Sequence, residues 1–263
     1  MVSLLRLYAA SKSISESKAL HTHIRNRGLE TSPILGGLLV QIYGDCGSLE
    51  DAYDAFSSIH PHSVFSWNVM IRAYTKMHGN KDYIFSHLAL SSLQQMQHEG
   101  LEPNTITFMS FLTVCLSSMD EGAIQEGRKT HVYIRESDSR ECVMVRNGLL
   151  NMYGKKGCFK EVRREFDDMD ERNVVSWNTI IAVHVKHGLD QEALQLFQKM
   201  IQEGIDPDEI TYVSVVNVCA NLTSVFRGFQ VHSCIVISQH DHDLFVGNAL
   251  IDMYAKCGKL KDA

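Results

Sequence analysis

The sequence predicts an all-α fold, an α-solenoid of stacked helix-turn-helix hairpins, and two observations lead to this prediction. The first is the 35-residue segment 174–208, in which apolar residues recur at the spacing of two short amphipathic helices. Gly188 is expected to end the first helix, Asp190 to cap the second and Gly204 to end it. The predicted buried positions are Trp177, Ile180, Ile181, His184 and Val185 in the first helix and Ala193, Leu196, Phe197 and Met200 in the second. Because so short a hairpin cannot bury two apolar stripes alone, it is expected to stack on similar neighbours.

The second observation is a long-range repetition of short sequence blocks. The block Ser66-Trp67-Asn68 returns as Ser176-Trp177-Asn178, 110 residues later. Two further sets share intervals of 110 and 101 residues, namely Tyr43, Tyr153 and Tyr254, and His21, His131 and His232. Marker sets that shift together indicate a higher-order repeat of about a hundred residues, which is typical of a solenoid. The histidines are expected to pack between helices.

Composition limits the class of protein. The chain has 263 residues, of which 44% are hydrophobic and 21% charged, as in an ordinary soluble globular protein. No apolar run approaches the roughly 20 residues that span a bilayer. The seven cysteines contain no Cys-x-x-Cys pair and are expected to be reduced thiols. The formal charge of −6 counts against tight non-specific binding of nucleic acid, since phosphates attract a basic surface.

Taken in order, the chain is expected to form one elongated domain of eight repeats. Residues 1–32 fit a hairpin without its start, with helices at 2–10 and 15–26. Their basic, serine-rich composition resembles that of a transit peptide, but the repeat is the preferred interpretation because His21 occupies the repeat register. The following repeats are 33–63, 64–104, 105–142, 143–173, 174–208, 209–243 and 244–263. Extra residues in 64–104, near 83–92, are expected to lengthen its second helix or the approach to that helix, and a loop insertion is expected near 117–122. The last repeat stops inside its second helix, which predicts an incomplete chain.

Units of 35, 35 and 31 residues in rotation resemble one family, the pentatricopeptide repeat proteins of the plant type that alternates P, L and S repeats. The segments 174–181 and 245–258 are similar to typical P and S openings. By this resemblance the repeats are a partial L (1–32), S (33–63), P (64–104), L (105–142), S (143–173), P (174–208), L (209–243) and a partial S (244–263). Tetratricopeptide repeats do not rotate through three lengths. The resemblance implies a right-handed superhelix that binds single-stranded RNA in a mitochondrion or chloroplast, one base per repeat.

The resemblance also implies which side chains read the RNA, namely the fifth and last residues of each repeat. The pairs are Asn68 with Asn104, Asn147 with Asn173, and Asn178 with Asp208, and Asn248 begins a further pair. Asparagine offers a donor and an acceptor, whereas ionised aspartate only accepts. By the family's code Asn/Asp favours uracil and Asn/Asn favours cytosine less strictly, which gives 5′-C-x-C-U-x. A simpler interpretation remains open: the asparagines satisfy backbone groups in the first helical turn, and Asp208 is an N-cap.

Three repeats depart from this pattern. Met109 and Val213 occupy the fifth position of the two full L repeats and lack a donor there, so no base is assigned to them. The first S repeat has Gly37 at its fifth position and Ser63 at its end, which leaves its reading of a base in doubt.

Two further positions are implied to contact RNA. Apolar residues at the second position are expected to sandwich the bases, and those assigned to stacking are Phe65, Met144, Val175 and Phe245, with Ile34, Ile106 and Ile210 at the same register. Inter-repeat packing is the alternative. At the thirteenth position Lys76, Lys155, Lys186 and Lys256 are expected to contact phosphates. Equally, these lysines can stabilise helix C-termini.

No catalytic constellation is found. A zinc deaminase requires His-x-Glu and Cys-x-x-Cys, and the chain has neither, so it is predicted to be no enzyme and to hold no cofactor. The stretch His240-Asp241-His242-Asp243 has metal-binding residue types without a geometric frame, and no metal site is assigned. Single-stranded RNA is the expected partner, together with an editing deaminase or another processing protein; no membrane or small-molecule substrate is expected. The alternative function is a scaffold that binds proteins or peptides.

Overall fold

The structure is a computed structural model that describes residues 13–76, 82–117 and 121–259. These residues form fourteen helices and no strand. The helices are α1 (Ile14–Arg25), α2 (Pro33–Asp45), α3 (Leu49–Ser57), α4 (Val64–Tyr74), α5 (Asp82–His98), α6 (Thr105–Ser117), α7 (Glu121–Glu136), α8 (Val143–Lys155), α9 (Phe159–Asp167), α10 (Val174–Lys186), α11 (Asp190–Gln202), α12 (Glu209–Asn221), α13 (Val225–Ile237) and α14 (Leu244–Lys256). The predicted helix at 2–10 and residues 118–120 of the predicted loop insertion lie outside the described residues.

The helices alternate as the first and second members of hairpins. Each even-numbered helix begins at the first residue of a predicted repeat, and the odd-numbered helix that follows it is its partner. The contacts divide the chain into two compact units, Met1–Met152 and Tyr153–Ala263, and the division falls inside α8. Within the first unit α5 has 17 residues, compared with 13 in α11 of the second unit, so of the two predicted alternatives the extra residues of 64–104 lengthen the second helix.

In the first unit the first helices form one layer. Helix α2 packs against α4, and α4 packs against α6, while α3 contacts both α2 and α4. Helix α5 likewise contacts α4, α6 and α7. Each hairpin therefore contacts the next one along the chain, which is how a solenoid buries the apolar faces of hairpins that are too small to fold alone. The rings of Phe56 and Trp67 meet edge to face in this core, with centroids 4.6 Å apart.

The second unit repeats this packing. Helix α10 packs against α12 and α12 against α14, while α11 contacts α10 and α12, and α13 contacts α12 and α14. The rings of Phe166 and Trp177 meet edge to face at 4.9 Å, as the equivalent pair does 110 residues earlier in the chain. The same local sequence thus builds the same core contact in each unit.

The central hairpin confirms most of the predicted buried stripe and corrects two details. Val183 is buried and Val185 is only half-buried, although Val185 was the predicted stripe member. Asp190 is the first residue of α11 and Leu189 is its N-cap, so the prediction of Asp190 as the cap was wrong. Asp190 instead places a carboxylate in the first turn, where it interacts favourably with the helix dipole. Gly188 and Gly204 end the two helices with φ of +70° and +76°, as predicted.

Two of the three recurring histidines are confirmed as packing residues between helices. Nδ1 of His21 lies 3.0 Å from the hydroxyl of Tyr43, and Nδ1 of His232 lies 2.8 Å from the hydroxyl of Tyr254. Burial, more than the nearby Arg25, lowers the pKa of His21, so this ring is neutral at neutral pH. None of the described helices has the length and apolar character needed to cross a membrane.

Candidate nucleic-acid interface

The last residue of most repeats caps the helix that begins the next repeat. Asn173 and Asp208 accept hydrogen bonds from the backbone N–H groups of Ser176 and Thr211, and the hydroxyls of Ser176 and Thr211 accept from the two cap residues in return. Such reciprocal capping boxes fix the path of the chain into a helix. Ser63 on α4 and Asn104 on α6 form the same reciprocal box, and Asp243 caps α14 by accepting from two backbone N–H groups without a reciprocal bond. The last residue of a repeat is therefore held in a defined position.

Asn178 and Asp208, which are 30 residues apart in the sequence, lie in contact. Nδ2 of Asn178 donates to Oδ1 and Oδ2 of Asp208, at 2.9 Å and 3.1 Å. The buried hydroxyl of Thr211 lies within hydrogen-bond distance of both Oδ1 of Asn178 and Oδ1 of Asp208. The predicted pair is thus brought together, and Asp208 also caps α12, which confirms its interpretation as an N-cap; its reading of a base stays a prediction.

The Asp208 carboxyl is ionised at neutral pH. Burial raises its pKa, but hydrogen bonds from the Thr211 backbone, the Asn178 amide and the Thr211 hydroxyl outweigh burial and lower the pKa below its ordinary value. The group therefore presents only acceptors to whatever approaches it.

The equivalent pair in the first unit is held more loosely. Nδ2 of Asn68 lies 3.4 Å from Oδ1 of Asn104, a long hydrogen bond. Oδ1 of Asn104 also accepts from the backbone N–H and the hydroxyl of Thr107, each at 3.1 Å. Asn68 is only 7% exposed, and its Oδ1 is buried without a hydrogen-bond partner among the described residues.

The remaining predicted readers differ in exposure. Asn147 is 9% exposed and Asn173 is exposed. Asn147 lies in the first unit and Asn173 in the second. Asn248 is exposed on the first turns of α14.

All seven second-position side chains are exposed to solvent, although they are large and apolar. Their exposed fractions lie between 41% for Phe65 and 72% for Phe245, and the other members are Ile34, Ile106, Met144, Val175 and Ile210. These side chains are therefore not fully buried between repeats, although partial packing against a neighbouring repeat stays open. Second and fifth residues of one helix are three positions apart and share a face, so each apolar side chain neighbours a fifth-position residue.

Phe65 shows where a second-position side chain lies relative to the preceding hairpin. A Cβ atom added to Gly37 would come within 2.6 Å of Cε1 of Phe65. The ring on α4 thus covers the fifth position of α2. In this S repeat the ring of Phe65 occupies the space beside the backbone of Gly37. The P repeats and the other S repeats carry an asparagine at this fifth position.

The predicted phosphate-contacting lysines lie at the opposite ends of the first helices. Lys155, Lys186 and Lys256 are the last residues of α8, α10 and α14, about 12 Å along the helix axis from the fifth residue. Lys256 forms an ion pair with Asp252 at 2.7 Å, and Lys76 lies 3.9 Å from Asp45. Among the described residues, Lys155 and Lys186 have no ion pair.

In the His240–Asp243 stretch, two side chains make hydrogen bonds to groups that are close by in the sequence. Oδ1 of Asp243 caps α14, and Nδ1 of His240 lies 3.0 Å from the backbone oxygen of Ser238. In the described part of the chain, no group of three or more His, Cys, Asp or Glu residues is arranged to hold a metal ion.

Sequence reasoning missed the third-position hydroxyls. Ser66, Thr107, Ser176 and Thr211 are fully buried, and Thr211 contacts both members of a predicted reading pair. The available signal was a Ser, Asn or Asp followed three residues later by Ser or Thr, a variant of the capping-box pattern whose usual third residue is Glu or Gln.

Comparison with known proteins identifies the repeats. A model of the PPR repeat matches residues 65–78, 144–174 and 248–263, and a PPR repeat family model matches residues 172–221. A chloroplastic pentatricopeptide repeat-containing protein of Arabidopsis thaliana is 33% identical over 260 residues, covering 99% of this chain and 31% of the relative. A mitochondrial pentatricopeptide repeat-containing protein of the same plant is 30% identical over 260 residues, covering 99% and 42%. The chain thus spans well under half of the length of these relatives.

Solved structures show the same fold. The crystal structure of the pentatricopeptide repeat protein PPR10 from maize has a TM-score of 0.71 at 18% identity, over 94% of this chain and 34% of that one. PPR10 in complex with an 18-nt psaJ RNA element has a TM-score of 0.68 at 18% identity, over 94% and 36%. The likeness establishes the predicted α-solenoid of helical hairpins. With repeat models matching in both units and relatives that align along 99% of its length, this chain belongs to the pentatricopeptide repeat family.

Proposed function

We propose that this chain binds single-stranded RNA by sequence, with one base addressed by each reading pair. The observation that carries the proposal is the contact between Asn178 and Asp208, a donor-bearing and an acceptor-only side chain joined at 2.9 Å and 3.1 Å. Exposed Val175 and Ile210 occupy the second positions of the same repeat and the next one. PPR10, which shares the fold, has been solved with an RNA element. Polar groups beside apolar platforms are what recognition of an unpaired base requires.

The chemistry of each pair supports a base preference. The ionised Asp208 attracts the N3–H donor of uracil and repels the N3 lone pair of cytosine, while the Asn178 amide can donate to a carbonyl oxygen of the base. In the other pair Oδ1 of Asn104 already accepts from Thr107, so its NH₂ is the group available to the acceptor edge of cytosine. With Asn147 and Asn173 assigned likewise, the recognised core is 5′-C-x-C-U-x.

Stacking and charge complete the proposed interface. The exposed apolar residues Phe65, Met144, Val175 and Phe245 provide contact with the base faces, which tolerates any sequence. Lys76, Lys155, Lys186 and Lys256 offset the repulsion between RNA and a chain of net charge −6. The chain acts as a binding module and not as an enzyme.

The names of the relatives support a proposal for the cellular role. Because they are named chloroplastic and mitochondrial, the proposed location is a plant organelle. A module that selects one short pyrimidine-containing sequence suits an RNA-processing factor, and recognition of C-to-U editing sites with a deaminase as partner is the specific role proposed.

The direct test is quantitative filter binding to short single-stranded RNAs at low salt. The unmodified chain is expected to prefer C-x-C-U over C-x-C-C by about tenfold, within the range of a good two-bond base contact. Asp208→Asn retains a capping side chain but replaces the acceptor, and it is expected to prefer C-x-C-C instead. Asn178→Ala is expected to lose the preference at the fourth base only. Asp206→Asn, an equal charge change at an exposed site two residues away, is the control.

Two outcomes would contradict the proposal. Failure of the folded, unmodified chain to bind any of these RNAs at low salt would reject RNA binding by this chain. Equal binding to every sequence would reject base reading and leave only electrostatic attachment. Binding of a peptide in the absence of RNA binding would favour the scaffold alternative.

A further inference from the structure

We infer that Thr211, the third residue of the following repeat, is a positioning residue that sets the uracil-over-cytosine preference of the Asn178–Asp208 pair. This inference rests on the proposed function and concerns a residue outside the two predicted reading positions. Thr211 is fully buried and does not reach the RNA itself. It acts through the two side chains that do.

The Thr211 hydroxyl lies among three polar groups, and its one hydrogen can be donated to only one of the two side-chain oxygens at a time. It lies 2.8 Å from Oδ1 of Asp208 and also contacts Oδ1 of Asn178, and it accepts from the backbone N–H of Asp208 at 3.2 Å. The backbone N–H of Thr211 donates to Oδ1 of Asp208 at 2.9 Å. One side chain therefore holds the cap of α12 and the amide oxygen of α10 together.

The consequence concerns the orientation of the amide. Since a carboxylate only accepts, the NH₂ group of Asn178 faces Asp208, and the hydroxyl of Thr211 draws the amide oxygen inward. The part of the Asn178 amide that can still contact a base is then the second hydrogen of its NH₂ group. Without the hydroxyl, the oxygen has no buried donor and can turn outward, where it would accept from the N4 amino group of cytosine. The Thr211 hydroxyl thus favours uracil, whose carbonyl oxygen accepts a hydrogen bond from the NH₂ group of Asn178.

The first unit contains a natural comparison. Thr107 occupies the same register and binds Oδ1 of Asn104 at 3.1 Å, but its hydroxyl makes no hydrogen bond to Asn68 within the described residues. Oδ1 of Asn68 has no partner there, and its Nδ2 is held by one bond of 3.4 Å. The amide of Asn68 is therefore less constrained, and this pair is expected to discriminate less strictly between pyrimidines.

The test compares three variants by filter binding to C-x-C-U and C-x-C-C. Thr211→Val keeps the shape and removes the hydroxyl, and it is expected to reduce the uracil-to-cytosine ratio by about fivefold, the effect of losing one net hydrogen bond. Thr211→Ser restores the hydroxyl and is expected to keep the ratio. Thr107→Val removes the equivalent capping hydroxyl in the first unit; it controls for loss of stability and is expected to leave preference at the fourth base unchanged.

A measurement on the unmodified chain guards against a variant that fails to fold. Side-chain amide hydrogen exchange followed by NMR is expected to be slower for Asn178 than for the more deeply buried Asn68, because orientation by hydrogen bonds and not burial protects it. Faster exchange at Asn178 would overturn the inference. So would a uracil-to-cytosine ratio in Thr211→Val within about twofold of the unmodified chain, less than one hydrogen bond predicts. Absence of RNA binding by the unmodified chain would reject the proposed function and this inference together.

Discussion

At the residue scale, the last side chain of a repeat has two tasks. Asp208 caps α12 through Thr211 and also accepts from Asn178 on the preceding first helix. Asn104 combines the same two contacts in the first unit. The residue types that cap helices well are Asn, Asp, Ser and Thr, and these types also differ in how they present donors and acceptors to a base. A change of base preference among them can therefore leave the cap in place.

This double role predicts a graded effect on stability. Asp208→Ala removes the cap and is expected to cost about 1 kcal/mol of unfolding free energy, whereas Asp208→Asn keeps a capping oxygen and is expected to cost less. Urea denaturation of the three proteins at neutral pH measures the difference. Equal destabilisation by both substitutions would show that the cap is not the main contribution of this side chain.

The depressed pKa of Asp208 predicts an acid-sensitive contribution. Because the folded-state pKa lies below the ordinary value of 3.8, the contribution is fully present above pH values near 3.8 and is lost as the pH falls through the folded-state pKa. The difference in melting temperature between the unmodified chain and Asp208→Asn is therefore expected to be constant near neutrality and to shrink in acid. Asp206→Asn, at an exposed position, is the control. A difference that stays constant down to acid unfolding would contradict the assignment.

At the element scale, close approach between first helices depends on glycine. A Cβ atom on Gly44 of α2 would lie 2.8 Å from Cβ of Ala73 and 3.2 Å from its Cα on α4. In the second unit, a Cβ atom on Gly154 would lie 2.7 Å from Cγ2 of Val183. The separation of neighbouring first helices, and so the distance between their fifth positions, is set by small residues at these contacts.

Gly44→Ala is expected to destabilise the first unit by about 1–3 kcal/mol, because overpacking outweighs the gain in helix propensity. Gly247→Ala is expected to have the opposite effect on stability. Nothing lies within 4 Å of the added Cβ, so the gain in helix propensity is expected to stabilise α14 by about 1 kcal/mol. Chemical denaturation measures both. Adding Ala73→Gly to Gly44→Ala is expected to relieve the clash, and failure of this double substitution to recover any stability lost to the clash would point to another cause.

At the scale of the whole molecule, the charge balance makes the proposed RNA affinity depend on a few cations. The chain carries a net charge of −6, and two of the four thirteenth-position lysines already have carboxylate partners. Lys186 has no ion pair among the described residues and stands at the end of α10, the helix that carries Asn178. It is therefore the lysine from which the clearest phosphate contribution is expected.

Lys186→Gln is expected to weaken binding equally for all RNA sequences and to reduce the slope of log affinity against log salt by about 0.7, the value for one phosphate contact on a single strand. Lys199→Gln makes the same charge change on the second helix α11, where Lys199 pairs with Glu203 at 3.7 Å, and is expected to leave the slope nearly unchanged. Salt titrations of RNA binding measure both variants. Identical slopes for all three proteins would remove Lys186 from the interface.

The repeat pattern in the sequence by itself determines most of the architecture, namely the helical hairpins and the residues at which they begin. Trp67 and Trp177 build equivalent contacts because the same local sequence buries the same faces, and the predicted repeat starts coincide with the starts of all the even-numbered helices. Whether a segment forms a helix depends on its local hydrophobic periodicity, and this can be recognised in the sequence alone. The N-cap of α11 was misassigned because a first-turn carboxylate and a capping carboxylate differ by only one position.

The tertiary structure decided what the sequence left open at the candidate site. Sequence register paired Asn178 with Asp208. Only the packing of α10 against α12 reveals that the buried Thr211 hydroxyl lies within hydrogen-bond distance of both, whereas Thr107 reaches Asn104 and not Asn68 among the described residues. It also separated the exposed apolar residues at second positions from the buried ones of the core. Hydrogen bonds between side chains 30 or more residues apart depend on sub-ångström helix placement, to which local sequence patterns are insensitive.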